Sequence, residues 1–197
     1  MTTAPEMVAR ERELNSLYIV TVVVILVIVT ATFGSLIFAF FWRSYNGYLW
    51  GHLQVPSLLW GTTAVLAASS VFLERARVAM KVPDQARFYQ MVKWTTVLGV
   101  IFLIGQATAW LQVTHSNLFL EKDKHSWFIF LFSGMHAIHI LAGLGGLTYL
   151  LHRAREVVSG PRYQMTTRAY TNALAIFWHY LGFVWLVLFV LLLTWKR

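Results

Sequence analysis

The sequence predicts an all-α membrane protein, a bundle of five transmembrane helices. Of its 197 residues, 58% are hydrophobic and 12% are charged, whereas an ordinary soluble domain carries about 25% charged residues. The apolar residues form five long runs, and a helix needs about 20 such residues to cross the hydrocarbon core. Because lipid offers no water to pair backbone groups, each run is predicted to be a helix rather than an open strand.

The first elements follow from the start of the chain. Residues 1–15 hold several glutamates and arginines and lack the cleavage site of a signal peptide, so we expect a cytoplasmic N-terminal segment. The first run is rich in β-branched residues, but its length without charge predicts a spanning helix. The loops leave little room for another domain, so a single membrane domain over 1–197 is predicted. The predicted spans are 17–41, 57–77, 92–113, 127–151 and 173–195.

The later spans have distinct compositions. Pro56 stands at the start of the second, where its missing N–H costs nothing. That span is rich in small residues, which let membrane helices pack closely against protein. Glycines interrupt the third and fourth spans, and tryptophans lie near the ends of most runs, as is typical of aromatic belts at the two interfaces.

The distribution of basic residues predicts the orientation. The N-terminus, the second connection and the fourth connection together carry eleven lysines and arginines, whereas the opposite side carries five. The positive-inside rule therefore predicts a cytoplasmic N-terminus and a C-terminus outside. The net charge of +8 does not indicate nucleic acid, because these cations lie between apolar runs rather than on one solvated face.

Histidines are the candidate functional residues inside the spans. No carboxylate, lysine or arginine lies in the middle of a predicted span, which argues against a proton pump or a cation-coupled transporter. His136 and His139 share one face of the fourth span, and His179 lies in the fifth. Each could bond to a neighbouring helix or face a lipid head group or a partner. His139 and His179 could also ligate a b-type haem.

The chain carries no recognisable catalytic apparatus. It has no cysteine, and no common hydrolase, zinc-protease or nucleotide-binding motif occurs in it. Basic residues at the predicted cytoplasmic helix ends, Arg153, Arg155 and Arg168, could hold phospholipid phosphates. They could equally serve only to set the orientation.

Four segments, in order, resemble subunit III of the haem–copper terminal oxidases. The 133–140 segment with Gly143 resembles that family's G-x-H-x-x-H-V/I…G signature, and 177–185 resembles its W-H-F-x-D-x-V-W stretch. The 58–70 segment is similar to its L-L-x-x-S-S helix, and Gln106 with Ala107 fits its third span. The five spans resemble the shorter bacterial form of the family.

The resemblance implies a non-catalytic subunit of a bacterial oxidase. Such a subunit holds no redox centre; the haems and copper lie in partner subunits. Subunit I would be the main partner, with subunits II and IV and a respiratory supercomplex as further ones, all in the bacterial plasma membrane. The resemblance also implies bound phospholipid. We expect lipid or subunit contacts for one set of residues: His136, His139, His179, Trp178, Arg153, Arg155 and Arg168.

Two positions depart from the family pattern, and rival functions stay open. The family's glutamate in the first of these spans aligns with Ala31 or Thr32, and its aspartate after the W-H pair is Gly182 here. Roles that rest on those carboxylates are therefore in doubt. The alternatives are subunit III of a quinol oxidase, an accessory subunit of nitric oxide reductase, a free-standing b-type cytochrome and a small transporter.

Overall fold

The computed structural model describes residues 4–46, 56–80, 84–115, 126–155 and 161–194. These residues form five helices and no strand, which confirms the predicted all-α class. The helices are α1 Ala4–Tyr45, α2 Leu58–Ala79, α3 Gln85–His115, α4 Ser126–Arg155 and α5 Pro161–Thr194. Several of the basic residues that predict the orientation lie outside the described residues: Lys81, Lys122, Lys124, Lys196 and Arg197.

Each helix extends beyond its predicted span at one end or at both. The largest extension is at the start of α1, where Ala4 begins the helix within the predicted N-terminal segment. Alanine, glutamate, methionine and arginine favour helix, and Glu6 in the first turn interacts well with the helix dipole. At about 1.5 Å per residue, the 42 residues of α1 are roughly twice as long as the hydrocarbon core is thick.

Local signals fix two of the helix starts. The carbonyl of Pro56 accepts a bond of 3.0 Å from the backbone N–H of Leu59, so this proline directly precedes α2 as predicted. Asp84 precedes α3, and its Oδ1 accepts a bond of 2.9 Å from the backbone N–H of Arg87. A carboxylate in this position satisfies an N–H group that the helix itself leaves unpaired.

Four helices form a closed ring, in which α2 contacts α3, α3 contacts α4, α4 contacts α5 and α5 contacts α2. Helix α1 lies outside the ring, mainly against α5 and to a smaller extent against α4. Its buried residues are Val22, Val29, Phe33 and Phe40, spaced as in the seam of a coiled coil. The rest of α1 is largely exposed on the outer surface.

Four of the five helices are long and apolar enough to cross a membrane: α1, α3, α4 and α5. Helix α2 is less apolar because Glu74, Arg75 and Arg77 lie in its last turns. Its 22 residues still span about 33 Å. The contact between α2 and α3 is more extensive than the contact between any other two helices. The chain is therefore a multi-pass membrane protein.

Candidate functional site

Motif residues of α2, α4 and α5, together with Gly99 of α3, meet at the centre of the bundle around Trp178. Its indole lies between two glycines: a Cβ on Gly99 of α3 would come 2.9 Å from Cη2, and a Cβ on Gly143 of α4 would come 3.0 Å from Cε3. The Nε1–H donates to Oγ of Ser69 in α2 at 3.0 Å. One fully buried tryptophan thus joins all four helices of the ring.

Trp185, two turns further along α5, repeats this arrangement. Its Nε1–H donates to Oγ1 of Thr63 in α2 at 3.0 Å. Its ring packs edge-on against Phe102 of α3, with centroids 5.3 Å apart, and lies 5.3 Å from the ring of His136 in α4. Both tryptophans of the 177–185 motif therefore bond to hydroxyl groups of α2.

Hydroxyl groups of α2 serve two partners at once. Ser69 donates to the carbonyl of Leu66 in its own helix at 2.7 Å. Thr63 and Thr62 both donate to the carbonyl of Leu59, at 2.7 Å and 3.1 Å. Each also accepts a bond from another helix, and the donor to Thr62 is the buried amide Nε2 of Gln106, at 3.3 Å. No buried hydroxyl in this set is left without a partner, as burial in an apolar region requires.

His136 is buried in a cage of aromatic rings. Its side chain is 1% exposed, and its ring centroid lies 6.2 Å from that of Phe33 and 6.1 Å from that of Phe102. Neither ring nitrogen has a hydrogen-bond partner. The interhelical hydrogen bond expected for this histidine is therefore not formed, because the side chains around it present ring carbons.

The other two histidines face different neighbours. Nδ1 of His139 lies 2.7 Å from the carbonyl oxygen of Met135 in its own helix, and its ring packs 5.5 Å from that of Phe33 in α1. Nε2 of His179 lies 3.6 Å from the carboxylate of Glu74 in α2. His139 packs against Phe33 of α1, whereas His179 faces Glu74 of α2. Because the two rings have different neighbours, the geometry does not favour the b-type haem hypothesis.

The carboxylate of Glu74 is the functional candidate that sequence reasoning missed. Besides His179, it contacts Nη1 of Arg77 at 2.9 Å, and Nε of Arg77 donates to Oδ1 of Asn172 at 3.2 Å. Glu74 lies near the end of α2, but its partner His179 lies near the middle of α5. The spacing of Glu74 and Arg77, three residues apart, indicates that the two side chains share one helix face. The contact of Glu74 with His179 of α5 could not be predicted from the sequence.

The three predicted arginines all lie at the same end of the bundle, but at different helix junctions. Arg153 of α4 donates to Oγ1 of Thr166 in α5 at 3.2 Å, and Arg155 donates to the hydroxyl of Tyr89 in α3 at 3.0 Å. Arg168 of α5 donates to the carbonyl of Met80 at 3.2 Å. Arg168 also lies 3.6 Å from Glu11 of α1.

These contacts define what the bundle centre can do chemically. Across the described ranges, no group of three or more histidine, aspartate or glutamate side chains is placed to hold a metal ion. The motif residues instead lock four helices into one geometry through two indoles, three hydroxyls and close contacts at glycine. The arrangement supports a structural role for the motif.

Comparisons with known proteins agree with the motif evidence. No family model matches the chain. Cytochrome c oxidase subunit 3 of Synechocystis sp. is 27% identical over 142 residues, 72% of this chain and 58% of that protein. The same-named proteins of Corynebacterium diphtheriae and Pongo abelii are 27% identical over 139 residues and 26% identical over 175 residues.

The alignments cover most of this chain but a smaller part of its relatives. They include 71% of the chain with the Corynebacterium protein and 79% with the Pongo protein. The chain spans 58% to 65% of the length of the three relatives. The resemblance predicted from the four motifs is thus confirmed: the chain is homologous to proteins named cytochrome c oxidase subunit 3.

Proposed function

We propose that this chain is the non-catalytic subunit III of a bacterial haem–copper terminal oxidase of the cytochrome c oxidase type. The observation that carries the proposal is the convergence of the motif residues on Trp178, which contacts or bonds Gly99, Gly143 and Ser69. Trp178, Gly143 and Ser69 lie in three of the four segments whose order first indicated the family, and homologues of that name match over about 70% of the chain.

The proposed role is to steady the catalytic subunit during turnover. A ring of helices locked by buried indole–hydroxyl bonds resists shape change, because breaking any one of them leaves a polar group unpaired in an apolar environment. Such a rigid body can hold a neighbouring membrane protein in one arrangement. The haems and copper would then reside in partner subunits, with subunit I as the main partner and subunits II and IV beside it.

Location and orientation belong to the same proposal. We place the chain, as a single membrane domain over 1–197, in the bacterial plasma membrane with its N-terminus in the cytoplasm. The starts of α1 and α5 and the end of α2 lie together at one end of the bundle, which supports assigning their basic residues to one side of the membrane.

Cysteine labelling tests the orientation. The natural chain has no cysteine, so Ala9→Cys and Thr194→Cys each provide one exposed thiol at opposite ends of the described chain. A membrane-impermeant maleimide added to intact spheroplasts should label the Thr194→Cys variant and spare the Ala9→Cys variant. The reverse labelling pattern would contradict the proposed orientation.

Phospholipid contact is a further part of the proposal. Arg153, Arg155 and Arg168 lie at the proposed cytoplasmic end, where head-group phosphates are found, and arginine binds phosphate through two parallel N–H bonds. Tyr149 and Tyr89 lie beside Arg153 and Arg155, with ring centroids 5.8 Å and 5.6 Å from the guanidinium carbons. These rings would help to hold the two arginines at the interface.

Isolation of the native complex tests the function. The chain is tagged at its C-terminus, extracted in mild detergent and analysed for its co-purifying subunits and for its absorption spectrum. The proposal predicts a haem–copper catalytic subunit of the cytochrome c oxidase type, and an unrelated tagged multi-pass protein from the same membranes is the control. Recovery of a quinol oxidase or nitric oxide reductase would select that alternative, and recovery of no haem–copper protein would refute the proposal.

A further inference from the structure

The outer sides of α2 and α5 meet in a surface that carries two ionisable side chains. Nε2 of His179 lies 3.6 Å from Oε2 of Glu74, and the ring centroids of Trp60 and Phe189 lie 4.9 Å apart. Residues seven apart on a helix share one face, so Trp60, Ala67 and Glu74 line the same side of α2. We define the α2–α5 face as the exposed or half-exposed residues Trp60, Ala67, Glu74, Ile176, His179 and Phe183.

The ionisable pair lies inside the membrane rather than at its edge. Tyr180, the neighbour of His179, bonds through its hydroxyl to Thr30 of α1, which is near the middle of the uncharged first span 17–41. Long lysine and arginine side chains can extend from a helix end to the interface, but an imidazole is too short to do so from this depth. The polar groups of the pair therefore need partners within the membrane.

The bundle itself supplies only part of what the pair requires. The side chains of Glu74 and His179 are 50% and 40% exposed, whereas ionisable groups in membrane spans almost always face the interior of a bundle or a water-filled cavity. Glu74 contacts both Arg77 and His179 through Oε2, which leaves Oε1 as an acceptor for another molecule. Because lipid tails offer no hydrogen-bond donor, lipid alone would leave this acceptor unpaired.

The outer surface of α1 provides the contrast within the same molecule. It exposes apolar side chains such as Val20, Val24 and Ile28, and no charged residue occurs between Leu17 and Phe41. Lipid tails are as apolar as these side chains and can cover them without burying a polar group. The difference assigns lipid to the outside of α1 and protein to the α2–α5 face.

We propose that a transmembrane helix of a partner subunit packs on the α2–α5 face and donates a hydrogen bond to Glu74. The donor is a neutral hydroxyl, amide or indole, because Arg77, 2.9 Å from the carboxylate, already balances its charge, and a further charge would be costly at this depth. Ala67 permits close approach of a helix, and Ile176 and Phe183 supply apolar contacts on either side of His179. The inference rests on the proposed function for the existence of partner subunits and adds the face that one of them occupies.

Photo-crosslinking in the native complex tests the proposal. The photoreactive residue p-benzoylphenylalanine replaces Phe183 of the face or, as the matched control, Ile28 of α1, which is similarly exposed. Membranes are irradiated, the tagged chain is purified, and the crosslinked peptides are mapped by mass spectrometry. The variant at Phe183 should crosslink to a transmembrane segment of a co-purifying subunit that carries a hydroxyl, amide or indole side chain, and the variant at Ile28 should give little or no protein adduct.

Other occupants of the face give different crosslinking results. Absence of a protein adduct at Phe183 would indicate that lipid covers the face, and an adduct with a second copy of this chain would indicate self-association. Either result, or equal adducts at Phe183 and Ile28, would overturn the proposal. An adduct with a partner that belongs to no haem–copper complex would instead refute the proposed function and leave the docking face in place.

A substitution at Glu74 tests the hydrogen bond separately. Glu74→Leu should raise the dissociation constant of the chain from its complex in detergent about tenfold, the loss expected for a hydrogen bond to a charged group. Glu13→Leu is the control, since Glu13 is an exposed carboxylate of α1 outside the face. The unfolding midpoint of each isolated variant shows whether it is folded; a folded Glu74→Leu chain that binds as tightly as wild type would contradict the proposal, and if this variant does not fold, the crosslink at Phe183 decides.

Discussion

The ring of α2 to α5 and the outer helix α1 are held by different kinds of contact. In the most apolar stretch of α4, 44% of the residues are buried, against 17% in α1. Buried N–H to hydroxyl bonds cross the ring at Ser69, Thr63 and Thr62. Helix α1 instead relies on aromatic contacts, such as Phe40 with Phe132, and on a bond of 2.5 Å between the hydroxyls of Thr30 and Tyr180.

The difference shows how a membrane protein can reach one structure without a hydrophobic driving force between helices. Lipid tails are as apolar as leucine, so association depends on close packing and on interhelical hydrogen bonds. In the ring, close packing and an interhelical hydrogen bond occur at the same place, because the indole that fits between Gly99 and Gly143 also donates to Ser69. Helix α1 lacks such a slot, so we expect it to be the easier helix to detach.

The largest expected effect comes from obstructing the tryptophan slot, the space between Gly99 and Gly143 that holds the Trp178 ring. Gly143→Val should destabilise the bundle by about 2 kcal/mol or more, because the new side chain collides with the Trp178 ring and overpacking costs about 1–3 kcal/mol. Gly145→Val, two residues further along α4 and with nothing within 4 Å of its Cβ position, is the control and should change stability little. Unfolding midpoints in detergent measure both, and equal midpoints would contradict the proposed role of the slot.

A smaller effect is expected from removing a hydroxyl of α2. Ser69→Ala leaves the buried indole N–H of Trp178 without its acceptor, which costs about 1–3 kcal/mol. Ser35→Ala removes a bond from a serine to its own helix on exposed α1 and should cost much less. The same unfolding assay checks the pair, and it would count against this account if Ser35→Ala were the more harmful change.

The smallest effect should appear at the junction of α1 and α5. A double-mutant cycle of Thr30→Val and Tyr180→Phe should give a coupling energy of about 0.6 kcal/mol, the average for hydrogen bonds between membrane helices. Thr32→Val is the control, because Thr32 bonds only to the Ile28 carbonyl among the contacts seen. A coupling energy of about 1.7 kcal/mol or more, the top of the range for such bonds, would contradict the weak attachment of α1.

The sequence predicts the fold well because long uncharged runs have few alternatives in lipid. The five helices and the start of α2 after Pro56 followed from such patterns. The candidate site was predictable only in part. Motif order pointed to Trp178 and the histidines, but the pairing of Trp178 with Ser69 and of His179 with Glu74 depends on the depth at which helices align, which no local pattern encodes.

The carboxylates illustrate this limit further. The aspartate that the family carries near the W-H pair is Gly182 here, and a carboxylate nonetheless reaches His179 from Glu74 of another helix. Residue identity along one helix therefore could not decide whether an acid lies beside that histidine.

The most direct test of the central claim is the absorption spectrum of this chain after it has been separated from its native complex. The proposed function is that of a rigid helix bundle that supports redox chemistry carried out by partner subunits. It predicts that the separated chain has no Soret band, while the haem absorption stays with the catalytic subunit. A Soret band that follows this chain, and is lost in His139→Ala or His179→Ala, would contradict it.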